Sequence, residues 1–188
     1  ESGCFASSGV TQIPQGLFDY NTKVTSFAHV FDWCLSLTGE IPEGLFDNCT
    51  EVISFTETFS GCTALTSIPQ GLFDNNIEVT DFMGTFAGCT SLTNIPEGLF
   101  DKCTEVTDFA STFAGCSGIT AIPAGLFDYN SKVTDFGCTF LGCSGVTGIP
   151  EGLFDNCPKA TNFNQIFRDC SGLMASIPEG LFDKCPEV

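Results

Sequence analysis

Apolar and polar positions along this chain recur as a phrase. From residue 89 the phrase reads CTSLTNIPEGLFDKCTEVTDFASTFAG. Within it, LTNIP and VTDF place aliphatic or aromatic residues on either side of a Thr-x pair, and their β-branched content favours extended backbone. PEGLFD and ASTFAG are predicted to be short helical turns, since Pro suits a first helical position and Phe109 and Phe113 stand i, i+4 apart. Such turns are too short to be stable without packing. The two halves of the phrase echo each other: FAGCTSLTNI (86–95) aligns with FDKCTEVTDF (100–109). The expected unit is therefore strand, turn, strand, turn.

The phrase returns along the whole chain. The Ile of its Ile-Pro pair falls at Ile13, Ile41, Ile68, Ile95, Ile122, Ile149 and Ile177, with steps of 28, 27, 27, 27, 27 and 28 residues. A fixed period of this size is the mark of a stacked array, one supersecondary unit per repeat. Six full units are assigned to 7–33, 34–61, 62–88, 89–115, 116–142 and 143–169, with a partial seventh at 170–188 and residues 1–6 as an N-terminal remnant or cap. CLSLTGEIP (34–42) and CSGLMASIP (170–178) each hold one extra residue, read as a bulge in the first strand of those units. One coil per 27–28 residues is expected, with the half-units on opposite sides; were each half a coil, Cys103 and Cys116 would stack as neighbours.

Nineteen of the 20 Phe fall into three columns of this register. One column runs from Phe18 to Phe182 through Gly-Leu-Phe-Asp, one from Phe27 to Phe163 through Val-Thr-x-Phe, and one from Phe31 to Phe167 at the end of the second turn, with Phe5 left over. Equivalent positions in neighbouring coils lie about 4.8 Å apart, so the columns are expected to form aromatic ladders inside the solenoid. Burial of each ring contributes roughly 1.5–3 kcal/mol before entropy.

Composition narrows the function. Of 188 residues, 23 are acidic and 6 basic, a net charge of −17, which repels phosphate backbones and anionic lipid heads. No apolar run is long enough to cross a bilayer, so no membrane insertion of this segment is expected. The chain starts at Glu1 without an initiator Met or a signal-peptide pattern, and is read as a processed chain or an excised piece; Val188 falls where the next copy of the second strand would begin. An uncapped last coil there would offer an apolar edge for association.

Twelve Cys raise the prospect of disulfides or metal sites. No Cys-x-x-Cys occurs and His29 is the only His, so no metal site or cofactor is expected. Ten Cys share two repeat slots. The first holds Cys34, Cys62, Cys89, Cys116, Cys143 and Cys170, with Ser7 in the first unit. The second holds Cys49, Cys103, Cys157 and Cys185, interleaved with Asn21, Asn76 and Asn130. A slot that takes Cys or Asn suits a small polar group satisfying backbone atoms at a bend, so mostly reduced, buried thiols are expected. Cys4 and Cys138 fit neither slot, and pairing of Cys138 with Cys143 or another thiol stays open.

The carboxylates obey the repeat, which argues against a catalytic pair. The Asp of Gly-Leu-Phe-Asp, from Asp19 to Asp183, occurs in every unit before a polar turn and is read as accepting backbone N–H bonds, with a calcium ladder as the alternative. No catalytic residue is assigned. A second column runs Ser26, Ser54, Asp81, Asp108, Asp135, Asn162; if it points outward, Asp81, Asp108 and Asp135 form an acidic stripe that blocks aggregation or receives a basic partner or a cation-bridged glycan. Two segments break the repeat: HVFDWCLSLTGE (29–40), with the only Trp, and NFNQIFRDCSGLMAS (162–176), with the only Arg. Trp33 and Arg168 join the candidate binding surface, being residue types favoured at contact hot spots.

The stretch VTDFMGTFAGCTSLTNIPEGLFD (79–101) resembles the leucine-rich repeats of BspA-like bacterial surface proteins, and the resemblance covers residues 7–188. Phe replaces most of the Met of that consensus, and Ile-Pro replaces its Leu-x-Leu, so the first strand must be short because Pro has no N–H. The resemblance implies a leucine-rich-repeat-like right-handed solenoid with parallel strands, an extracellular or cell-surface location, adhesion-type binding to protein or glycan on a host or neighbouring cell, and no catalytic residues. A structural spacer holding another domain away from the cell, and a carbohydrate-active β-solenoid enzyme, are the alternatives.

Overall fold

A computed structural model describes residues 3–186; the first two and last two residues, including the expected array edge at Val188, lie outside the described residues. The chain winds into a solenoid. Five parallel bridges join Ser26 to Ser54, Ser54 to Asp81, Asp81 to Asp108, Asp108 to Asp135 and Asp135 to Asn162, so each step of 27 residues, or 28 across the first insertion, returns the chain beside its predecessor. Cys103 Sγ reaches the Phe73 carbonyl at 3.7 Å and Cys116 Sγ reaches that of Phe86 at 3.0 Å, each in the preceding coil, so one repeat is one coil.

Regular secondary structure is sparse. Among the described residues there are two named strands, β1 (Gly39–Glu40) and β2 (Leu65–Ser67), which pair in parallel, and no helix. The register shifts between Gly39 and Glu40, inside the first insertion, where a bulge was expected. The expected helical turns are instead chained β-turns. In Pro42–Cys49 the N–H of Leu45, Asp47 and Cys49 donate to the carbonyls of Pro42, Gly44 and Phe46. A left-handed residue in each turn stops helical propagation. Gly98 shows why: its φ is +69°, and the folded-back Asp101 carboxylate would lie 3.1 Å from an added Cβ.

In the second turn, shown by Phe27–Cys34, every backbone N–H but that of Ala28 finds a backbone carbonyl. The N–H of Phe27, His29, Phe31 and Trp33 donate to Ser54, Thr56, Thr58 and Ser60 in the next coil, while those of Val30, Asp32 and Cys34 close turns onto Phe27, His29 and Phe31. Alternate donors thus serve the neighbouring coil and the chain's own bend, and no backbone group in this bend needs a helix.

The Phe columns fill the interior as expected. In the first column Phe73 and Phe100 stack with centroids 6.2 Å apart and planes 9° apart; Phe82 and Phe109 in the second stand at 5.8 Å and 6°, Phe86 and Phe113 in the third at 5.7 Å and 7°. These centroid distances exceed the strand spacing because the stacked rings are offset. The first two columns interlock: Phe100 tilts against Phe82 at 4.8 Å and Phe109 at 4.7 Å. Phe5, left outside the columns by the sequence register, stacks on Phe31 at 5.5 Å and 7°, so it begins the third column. The same shift makes Ser8 the first occupant of the Cys slot, since Ser8 Oγ lies 3.7 Å from Cys34 Sγ; the expected Ser7 instead matches Trp33, with its N–H on Asp32.

Candidate functional site

The outer face of the second strand is built around the column Ser26, Ser54, Asp81, Asp108, Asp135, Asn162. Backbone bridges hold these residues on successive coils. Each side chain accepts the N–H two residues on: Met83 to Asp81 Oδ1, Ala110 to Asp108 Oδ1 and Gly137 to Asp135 Oδ1, all at 2.7 Å, and Asn164 to Asn162 Oδ1 at 3.0 Å. Ser26 and Ser54 do the same with Ala28 and Thr56 at 3.2 Å. These side chains supply the acceptor for the one backbone donor left over in that bend, which is why the column accepts only Ser, Asp and Asn. That restriction was a readable signal of a side-chain cap.

The second carboxylate oxygen differs along the stripe. Asp81 Oδ2 accepts from Thr56 Oγ1 at 2.7 Å, and Asp135 receives Asn162 Nδ2 at 2.9 and 3.0 Å. Asp108, between them, is half-buried, and burial raises its carboxyl above the usual range; its bond from Ala110 lowers it, and the charges of Asp81 and Asp135 raise it further. The three acids are thus brought together on adjacent rungs.

Trp33 and Arg168 are not part of that stripe. Both lie in the bend that follows it, at the two ends of the array. Trp33 is 57% exposed, and its indole packs over Gly61 of the next coil. Arg168 is exposed, donates to Gln165 Oε1 at 3.0 Å and pairs with Asp169 at 3.4 Å.

Three buried side-chain ladders bond each coil to the one before. In the first Cys slot, Cys62, Cys89, Cys116, Cys143 and Cys170 donate to Phe31, Phe59, Phe86, Phe113 and Phe140 of the coil before, at 3.0–3.1 Å. In the second, Asn76 Nδ2 donates to Phe46 and Cys49 carbonyls at 3.2 and 2.9 Å, while Cys103 makes two 3.7 Å contacts to Phe73 and Asn76. A Thr ladder, unread in the sequence, lies between: Thr85 Oγ1 reaches Phe55 and Phe82 carbonyls at 2.9 and 2.7 Å, and Thr58, Thr112 and Thr139 repeat the pattern. All twelve Cys are free thiols, Cys138 and Cys143 included. Burial pushes the thiols of Cys62, Cys103, Cys143 and Cys157 up to about 12 and those of Cys89 and Cys116 well above the ordinary value. They are inert as nucleophiles at neutral pH.

The Asp of Gly-Leu-Phe-Asp serves differently from its expected role. Its own N–H closes the turn, as Asp101 N–H does to Gly98 at 3.1 Å, and among the described residues no backbone N–H donates to its carboxylate. The side chain folds over the Gly α-carbon instead. At the first two coils the structure also joins His29, Asp32 and Glu57, a group that sequence spacing alone did not bring together.

No family model matches the chain, and no curated protein matches it. Among solved structures it is similar to leucine-rich-repeat proteins. A chain of the Drosophila Toll–Spatzle complex is 20% identical, with 89% of this chain and 25% of that chain covered and a TM-score of 0.47. The leucine-rich-repeat domain of APL1 is 17% identical over 68% of this chain and 31% of that one, with a TM-score of 0.45. A leucine-rich-repeat protein from T. pallidum is 17% identical over 92% and 79%, with a TM-score of 0.31. The chain spans a third or less of the first two. All these TM-scores are below 0.5, and the coil geometry carries the structural reading.

Proposed function

We propose that this chain is a non-enzymatic surface or secreted repeat protein that binds a protein or glycan through the face centred on Asp81, Asp108 and Asp135. The observation that carries this reading is the stack itself: three carboxylates fixed on consecutive rungs, with the middle one half-buried and its carboxyl raised by burial. Like charges at rung spacing cost free energy, and a cationic group laid across them relieves that cost. A basic protein segment, or a glycan bridged by a cation, has the matching chemistry, and the net charge of −17 steers such partners to the surface. Trp33 and Arg168 extend the contact zone at either end. The resemblance of the repeats to BspA-like proteins supports an extracellular or cell-surface setting and adhesion-type use.

The test is a glycan array and a panel of basic surface proteins, probed with the full chain and with the D81N/D108N/D135N variant. Loss of the captured partners in the variant supports the reading; unchanged binding at low salt overturns it. The spacer reading draws on a separate observation, that the Oδ1 of each of these Asp caps its own turn and so has a structural task already. A full chain that captures nothing on either screen favours the spacer.

A further inference from the structure

The bend after the second strand carries one group of side chains that the repeat does not explain. His29 and Glu57 occupy the same position in successive coils, both left-handed, with φ of 58° and 49°. Later coils place Gly84, Ser111, Cys138 and Gln165 there. Asp32 sits three residues beyond His29, where Ser60, Ala87, Ala114, Leu141 and Arg168 follow in later coils. Only the first two coils therefore combine an imidazole with two carboxylates in this bend.

We propose that His29, Asp32 and Glu57 bind a divalent transition-metal ion. His29 Nδ1 lies 3.4 Å from Glu57 Oε2 and 3.7 Å from Asp32 Oδ2, and the three donor atoms lie within 4.8 Å of one another, the one such group among the described residues. Two ligand atoms bound tetrahedrally at zinc distances stand about 3.3 Å apart, so two of the three edges are already near the required length. The backbone holds the donors in place. The N–H of His29 donates to Thr56 at 2.9 Å, that of Glu57 to Met83 at 2.8 Å, and that of Asp32 closes a turn onto His29 at 3.2 Å. Asp32 also carries a buried Oδ1 with no hydrogen-bond partner, a desolvated carboxylate oxygen beside the cluster that a cation would compensate.

One imidazole nitrogen and two carboxylate oxygens suit Zn²⁺, Ni²⁺ or Co²⁺. Calcium prefers six to eight oxygens, which this set does not supply. With three protein donors the ion keeps a position for water or for a donor on a partner. Because His29 and Glu57 belong to different coils, the ion would also clamp the first coil to the second. The competing arrangement is an ordinary imidazolium paired with two carboxylates, which needs no metal.

The experiment titrates the full chain with Co²⁺ and with Ni²⁺ near neutral pH. The expected results are a saturable one-to-one Co²⁺ visible band without thiolate charge transfer, quenching of the adjacent Trp33 by Ni²⁺ along the same isotherm, and a higher thermal midpoint with metal. His29→Asn, which keeps a residue type tolerant of the left-handed backbone, and Glu57→Gln should each weaken binding at least tenfold with unchanged circular dichroism. Cys4→Ser, altering the exposed thiol near this end, should leave binding intact. The proposal is overturned if neither metal binds saturably by 1 mM, roughly the weak limit for a specific site. It is equally overturned if binding survives in both His29→Asn and Glu57→Gln, or disappears in Cys4→Ser.

Discussion

The thiol of Cys116 donates to the carbonyl oxygen of Phe86, one coil earlier, at 3.0 Å. That bond ties the bend of one coil to the aromatic column of the previous one. Both residues are fully buried, so the carbonyl has no access to bulk water. The Cys slot therefore satisfies backbone atoms within the core and does not serve cross-linking.

Thiol accessibility checks this directly. With a chromogenic disulfide reagent, the native chain should expose only Cys4 and Cys138 to rapid modification, and the denatured chain all twelve Cys. Fewer than twelve in the denatured, unreduced chain would reveal disulfides.

The same burial predicts alkaline sensitivity. The folded thiols of Cys62, Cys103, Cys143 and Cys157 ionise at about 12, against 9.0 for the free group. Unfolded thiols lose their protons first, so this contribution is complete below about pH 9 and is lost as pH rises from there towards 12. The unfolding free energy from urea denaturation should hold between pH 7 and 8.5 and fall above it, by up to about 1.4 kcal/mol per pH unit for each such thiol.

Slot exchange offers a sharper test of the ladder. Asn76→Cys places in one coil what Cys103 places in the next, and should be tolerated within about 1 kcal/mol. Asn76→Leu leaves the Phe46 and Cys49 carbonyls without their side-chain donor and should destabilise by about 1–3 kcal/mol for each. Equilibrium urea denaturation distinguishes the two.

Position along the array should grade the cost of losing a ring. Phe100 is fully buried between Phe73 and Phe127 and tilts against Phe82 and Phe109, so Phe100→Ala should cost about 3–5 kcal/mol. Phe182, partly buried in the last described coil, should cost distinctly less in the same denaturation series.

Asp108 is predicted to be dispensable for folding. Asn162 makes the same bond to its i+2 N–H, so Asp108→Asn preserves the cap. The folded carboxyl is raised, so its ionised form opposes folding at neutral pH, and that cost disappears once pH falls below the ordinary carboxylate value of 3.8. The variant should be equal to or more stable than the parent at pH 7, by about 0.5 kcal/mol or less given solvent screening, with the difference gone near pH 3.5 in thermal melts.

By itself the sequence determined the period, the three aromatic columns and the Cys/Asn slot, because a solenoid sums one unit's interactions over every coil and each buried position must recur. Local spacing could not decide the rest. Helical turns and chained β-turns share the same apolar spacing, and the left-handed residues that separate them include Ser, His and Glu as well as Gly. The Ser7–Ser8 doublet fits the repeat in either register until a bond from Ser8 to Cys34 is formed. The union of His29 with Glu57, and the bonds that tie Asp81 to Thr56 and Asp135 to Asn162 across coils, also belong to the tertiary structure. They depend on which atoms the stacking of coils sets within bonding distance, and a periodic string carries only the order of its letters.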